Sequence, residues 1–315
     1  MLNVNPPSRP NSGIDATAGE KFALSPGLLW QRVASVASPA KTCSNRRREA
    51  LFHEESVFFE AMRNEGTVGR DYYDKVYKRS LDDEAEWLRF GSVEKARSVQ
   101  ILLRQSGLQP RSTLELGCGT GAVILECQRL GIGKEFTAID YSAEAVGYLK
   151  ENSQGIVCRT EDLMQLAPSE EHFDLVLLSH VLEHLEEPKE FLHDVLSRLS
   201  FDRLIVEVPL EDLMASRLKN LIRDRKQNRA GHVQFFDRQT FIALLQASGL
   251  RVLNERTYVP HLTAPVFDAL AARNGYFGVN RVLKSMTQVH LPQLLRSLWQ
   301  RYYYAHMAVL CEKRR

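Results

Sequence analysis

Thr113-Leu-Glu-Leu-Gly-Cys-Gly-Thr-Gly121, followed by Phe136-Thr-Ala-Ile-Asp140, is the stretch that decides the fold. Apolar residues climb to a cluster of glycines, and an acidic residue closes a second apolar run 23 positions after Gly117. The pattern spells a strand, a tight turn, a helix start and a second strand ending in a carboxylate. Glycines let backbone approach a ligand, and a carboxylate so placed accepts hydrogen bonds from ribose hydroxyls. A nucleotide-like ligand is expected.

Gly117-x-Gly119-x-x-Ala122 also satisfies a dinucleotide fingerprint, and two details favour S-adenosylmethionine over NAD. Gly121 follows Thr120 directly, giving G-x-G-x-G, and Glu115 stands two positions before Gly117, where a dinucleotide site keeps an apolar residue. A carboxylate there faces the cationic amino group of a methionine tail but repels a pyrophosphate.

Working outward, strands are expected near 112–116, 135–140, 155–159, 173–179, 203–208, 250–257 and 305–312, with helices near 121–130, 143–152, 189–199 and 238–248. Strand alternating with helix predicts an α/β fold with a doubly wound, mostly parallel sheet of seven strands, whose ligands bind beyond the carboxyl ends of the strands. Before it, 1–50 reads as a poorly ordered basic tail and 51–110 as a helical cap, with helical segments at Asp71–Tyr77 and Glu84–Gln105. The core spans 111–258. An insertion, 259–304, carries Pro260, Pro265, Pro292 and the aromatic run Tyr302-Tyr-Tyr304, and reads as a lid over the substrate or as a packing or homodimer surface. The last strand lies in 305–315.

Composition excludes several classes. The 315 residues are 44% hydrophobic and 25% charged, ordinary for a globular chain. A net charge of +2 makes no case for nucleic acid, although 1–50 carries seven Lys/Arg against three acids and 281–315 seven against one. None of the five cysteines forms a C-x-x-C pair, so neither a disulfide framework nor a zinc knuckle is expected. No apolar run reaches membrane-spanning length and no signal-peptide core is apparent, so the expected compartment is the cytoplasm.

Residues 112–200 resemble the class I S-adenosylmethionine-dependent methyltransferases. The glycine motif carries the resemblance together with Phe173-Asp-Leu-Val-Leu-Leu-Ser-His-Val-Leu-Glu-His-Leu-Glu-Glu-Pro188, which is similar to the fourth strand and following turn of the small-molecule branch that includes the ubiquinone-type O-methyltransferases. Gly231-His-Val-Gln-Phe-Phe-Asp-Arg-Gln-Thr-Phe241 is similar to a segment these enzymes place before a late helix. The resemblance extends over roughly 70–258 and the last ten residues. It implies S-adenosyl-L-methionine as cofactor, held by Glu115, Gly117, Cys118, Gly119 and Gly121. Asp140 would hold the ribose, with Tyr141 and Ser142 beside the adenosine and Ser179 and His180 beside the methionine. For the adenine end the family often has a Gly-Asp pair after the third strand. Cys158 and Arg159 stand there, leaving Glu161, Asp162 or a backbone amide for the role.

The donor carries an activated methyl group, so the protein supplies position and, for a hydroxyl acceptor, a base. His232, on a loop after the fifth strand, is the first candidate because imidazole titrates near neutrality; His184 is the second. His180-Val-Leu-Glu-His184 also spells the H-x-x-E-H of some zinc proteases, but it joins a strand to a Pro-initiated helix instead of lying within a helix. No metal is predicted, although His180, Glu183 and His184 could hold a divalent ion, as related quinone enzymes do at this turn. The Asn-Pro-Pro-Tyr type motif of protein and RNA methylation is absent; Leu178-Ser-His-Val181 stands in its place. The expected function is methyl transfer to a small-molecule hydroxyl of a sugar, lipid or secondary metabolite. The alternatives are C- or N-methylation, or a non-catalytic scaffold that binds the cofactor.

Overall fold

The computed structural model describes residues 69–219, 231–260, 262, 264–273 and 275–314, which belong to one compact unit within Leu51–Arg315. The expected tail at 1–50 and the start of the cap lie outside the described residues.

All seven expected strands form: β1 (Ser112–Leu116), β2 (Glu135–Asp140), β3 (Ile156–Thr160), β4 (His172–Ser179), β5 (Ser200–Leu210), β6 (Leu250–Tyr258) and β7 (Ala305–Lys313). Their order is β3-β2-β1-β4-β5-β7-β6. The first five are parallel, while β7 runs antiparallel between β5 and β6. The strand order reverses between β1 and β4, the kind of switch point at which open α/β sheets leave a crevice for ligand.

Alternation along the strands explains the layers. On β4, Val176 and Leu178 join the core on one face of the sheet, and Leu175 and Leu177 the core on the other. A strand apolar on both sides requires cover on both faces. One face is covered by Phe191, Leu192 and Val195 of a helix Pro188–Arg198 and by Phe241 and Leu245 of a helix Arg238–Ala247. The other receives Val99, Leu102 and Leu103 from α1 (Gly69–Gln105), and Val123, Ile124 and Cys127 from α2 (Ala122–Arg129). Both helical segments expected before residue 106 form within α1 and meet at a kink. The helix bends at the buried Ser80 (φ −140°, ψ 42°), where neither Pro nor Gly interrupts the chain. The third helix, α3 (Ala143–Asn152), follows β2.

The insertion folds as short helices around Phe267, Ala271 and Val289. Among its described residues none lines the cleft described below.

Candidate cofactor and acceptor site

The turn after β1 is built from left-handed backbone. Gly117 has φ 68° and Gly119 φ 51°, a region that disfavours side chains. Space is also closed: a Cβ on Gly117 would lie 2.6 Å from Val181 Cγ2, and one on Gly119 2.6 Å from Tyr77 Oη. Ile139 carbonyl accepts from Gly117 N–H (2.8 Å), so the turn is pinned to the end of β2. Gly121 has a different task. A side chain there would strike Leu149 of α3, and Gly121 is not among the cleft-lining residues; it lets two helices pack.

Asp140, at the end of β2, is buried and accepts Gly119 N–H at Oδ2 (2.7 Å) and Ser142 N–H at Oδ1 (2.9 Å). Ser142 does not line the cleft, and its hydroxyl caps α3 by accepting Ala145 N–H (3.2 Å). Glu115 is buried with Oε2 accepting Ile124 N–H (2.9 Å). Burial pushes its carboxyl up to about 8, against the pull of that amide and of Lys95. Burial likewise raises Asp140, opposed by its backbone donors.

These groups border one cleft with about 1110 Å³ of empty space, part of it open to solvent. Of the expected ligands, Glu115, Gly117, Cys118, Gly119, Asp140, Tyr141, Asp162, Ser179 and His180 line it. Glu161 does not line it, and Asp162 Oδ2 pairs with Arg70 (2.7 Å). Arg70 also stacks 4.3 Å above the Tyr141 ring. The start of α1 thus crosses the cleft, and Arg70, Tyr73, Tyr77 and Lys95 line it. Sequence reasoning assigned none of these four. Tyr73 and Tyr77, four apart on one helix face, were the available signal.

The cleft fits S-adenosylmethionine. Ser179 Oγ is buried without a hydrogen-bond partner, a hydroxyl that a ligand could satisfy. The donor set also matches the cofactor's chemistry: Glu115 for a cationic amine, Asp140 for ribose hydroxyls, and Tyr141, Leu163 and Met164 for an apolar base.

On the acceptor side, the short turn Leu182–His184 carries two imidazole environments into contact. His184 lines the cleft. Its Nδ1 lies 3.3 Å from Gly231 carbonyl, which can only accept, so Nε2 carries the lone pair and receives Tyr73 Oη–H (3.2 Å). Burial lowers its pKa to about 4, against the pull of Glu183. His232 is not a cleft residue. It sits behind His184 with ring centroids 4.9 Å apart, and its Nδ1 is 2.6 Å from Glu211 Oε2. The base expected first from sequence is thus turned from the cleft by a carboxylate partner, and the second candidate faces it.

Burial lowers the His232 pKa, but the Glu211 contact outweighs it and the net shift is upward. A raised imidazole pKa stabilises the fold fully below the unfolded value, near 6.5, and the benefit is lost as pH rises through the folded value. Glu211→Gln should therefore destabilise the protein at pH 6 by about 1–3 kcal/mol, the worth of a charged hydrogen bond. The difference should shrink toward pH 9. Equal loss in urea melts at both pH values would show that the pair contributes no charge-dependent stability.

A glycine turn clamped to an acid-terminated β2, at the switch point of a sheet with an antiparallel seventh strand, defines a Rossmann-like nucleoside-binding fold. Residues 88–255 match the family model described as a methyltransferase domain, and the chain belongs to the S-adenosylmethionine-dependent methyltransferase family, whose cofactor it shares. It is 27% identical over 137 residues to a malonyl-[acyl-carrier protein] O-methyltransferase of Bacillus cereus, covering 42% of this chain and 51% of that one. It is 25% identical over 142 residues to a ubiquinone biosynthesis O-methyltransferase of Glaesserella parasuis, covering 42% and 59%. The chain spans about half the length of the curated relatives it matches. Among solved structures, a chain of the complex between the Haloferax volcanii Trm112 methyltransferase activator and a methyltransferase superposes with a TM-score of 0.52 at 12% identity, covering 77% of this chain and 98% of that one. That likeness concerns the fold. No helix among the described residues is long and apolar enough to cross a membrane.

Proposed function

We propose that the protein transfers a methyl group from S-adenosylmethionine to a hydroxyl of a small-molecule acceptor, with His184 as proton acceptor. One observation carries this reading: a neutral imidazole, fixed by Gly231 carbonyl, aims its free nitrogen at Tyr73 Oη in the wall of the cofactor cleft. When bound, the cofactor supplies a methyl group on a cationic sulfur, open to in-line displacement. Glu115 would hold the methionine end of the donor and Asp140 its ribose, leaving the cleft beside His184 for the acceptor. The acceptor hydroxyl takes the place of Tyr73 at His184 Nε2 and gives up its proton there as its oxygen bonds to carbon. The products are the methyl ether and S-adenosylhomocysteine.

The malonyl and ubiquinone relatives are named as O-methyltransferases, in keeping with an oxygen nucleophile. The test is release of S-adenosylhomocysteine with matched alcohols, phenols, sugars and amines. Turnover with hydroxyl compounds is expected. Preference for amines would overturn the oxygen assignment, and tight donor binding without turnover on any class would favour the scaffold.

A further inference from the structure

Beneath the cleft wall, three strands bring one donor each to a common point: His180 at the end of β4, Glu207 on β5 and His306 on β7. All three donor atoms lie within 4.8 Å of one another. We propose that His180 Nε2, His306 Nδ1 and Glu207 Oε1 form a binding site for one divalent cation of the zinc class. This is a different set from the His180, Glu183 and His184 considered from sequence.

The first argument is geometric. The donor separations are 3.2 Å for His180 Nε2 to His306 Nδ1, 3.4 Å for His180 Nε2 to Glu207 Oε1 and 3.5 Å for His306 Nδ1 to Glu207 Oε1. Around an ion with bonds of about 2.0–2.1 Å, tetrahedral ligands stand about 3.3–3.4 Å apart. The three atoms thus outline one face of such a tetrahedron. A proton shared among them can satisfy only one pair; an ion satisfies all three.

The second argument is the surrounding shell. Ligating histidines have the other ring nitrogen oriented by a carboxylate, carbonyl or similar group. His306 Nε2 lies 2.9 Å from Tyr304 Oη. His180 Nδ1 lies 3.0 Å from Glu183 Oε1, an ion-pair distance without hydrogen-bond alignment. Tyr258 Oη donates to Glu207 Oε1 (2.6 Å). His180 itself is held at φ 58°, unusual for a side-chain-bearing residue, and its N–H donates to Glu207 carbonyl (2.9 Å). Strain of this kind persists where surrounding structure over-determines it and gathers at functional sites.

The third argument is charge. Glu183 and Glu207 are almost wholly buried, and among the described residues neither forms an ion pair with Lys or Arg. Neither Glu183 oxygen has an aligned hydrogen-bond partner. The buried Lys95 acts on both carboxylates through space without an ion pair to either, and a divalent ion would place positive charge directly at Glu207.

Two other clusters fare worse. In Glu183, His184 and His232, both His184 nitrogens are already engaged. In His172, Asp174 and Asp202, Asp174 Oδ2 already accepts Arg111 and Ser112 N–H and His172 is exposed. Three protein donors leave room for a further ligand, as in zinc sites that bind water or substrate, and His180 also lines the cofactor cleft. The site does not depend on the methyl-transfer reading, since ion binding is measured without donor or acceptor.

The full chain, stripped by chelator, should take up one equivalent of Zn²⁺ in equilibrium dialysis with metal analysis, and its melting temperature should rise. Glu207→Gln and His306→Gln should each weaken uptake by more than about 100-fold. Tyr304→Phe, a milder change, should weaken it about 10- to 100-fold, as loss of an orienting partner does. His172→Ala should change nothing. Co²⁺ in the unmutated chain should give the intense visible absorption of a tetrahedral site, an arm that holds even if the buried variants fold poorly. Substoichiometric uptake, a pale six-coordinate cobalt spectrum, full uptake by Glu207→Gln or loss with His172→Ala would each overturn the assignment.

Discussion

Gly119→Val should yield a folded chain whose affinity for S-adenosylmethionine and S-adenosylhomocysteine is reduced by more than about 100-fold, close to 3 kcal/mol. Gly119 occupies φ 51°, where a β-branched residue is a severe outlier. Its Cβ would stand 2.6 Å from Tyr77 Oη, and the branch methyls would add to that crowding at the cleft wall. Relief requires Tyr77 to move, yet Tyr77 lines the same cleft. Regular structure elsewhere is untouched, so circular dichroism should match the parent. Gly119→Ala, with one carbon added, should show the same effect more mildly. Asp140→Ala should weaken binding about 10- to 150-fold, because the carboxylate would meet the ribose and already holds Gly119 N–H and Ser142 N–H. Calorimetry giving parental affinity for Gly119→Val would mean that the turn does not approach the cofactor.

Why this turn was legible in the sequence, while much of the wall facing it was not, has a physical reason. Thr113–Gly121 and Asp140 are local signals: apolar runs, glycines at left-handed positions, and one acid at a strand end. Periodicity gave the seven strands and their layers for the same reason. Side chains that meet across long stretches of chain leave no such local trace. His180 and His306 are 126 positions apart and touch because β4 and β7 both flank β5. Asp162 pairs with Arg70, 92 positions upstream, a contact that leaves no local trace. The segment His180–His184 was conspicuous as a motif, but its spacing misleads. Its two histidines leave a short turn in different directions, His180 toward Glu207 and His306, His184 toward Tyr73 and Gly231. His232 lies on a loop, but a loop position does not fix a rotamer, and its ring pairs with Glu211.

The division of labour between these two imidazoles has the largest expected effect on turnover. His184→Ala should lower kcat by about 10²–10⁴-fold, the worth of a positioned base, with donor affinity nearly unchanged. His232→Gln should be milder, since it removes a neighbour of the base and not the base. The pH profile separates the assignments independently of mutant folding. His184, held down to about 4 by burial, remains an unprotonated acceptor through the neutral range, so the acid limb of kcat should not appear until pH falls toward 5 or below. His232 has its pKa raised by Glu211, so catalysis by that ring would already decline as pH drops through neutrality. A protonated ring cannot accept, which fixes the sign in both cases. In Tyr73→Phe the hydroxyl that occupies His184 Nε2 is gone, so the base is freed for the acceptor and KM should fall or hold while kcat is retained. An acid limb near neutrality, with His184→Ala at full rate, would return the base to His232 and leave His184 as packing.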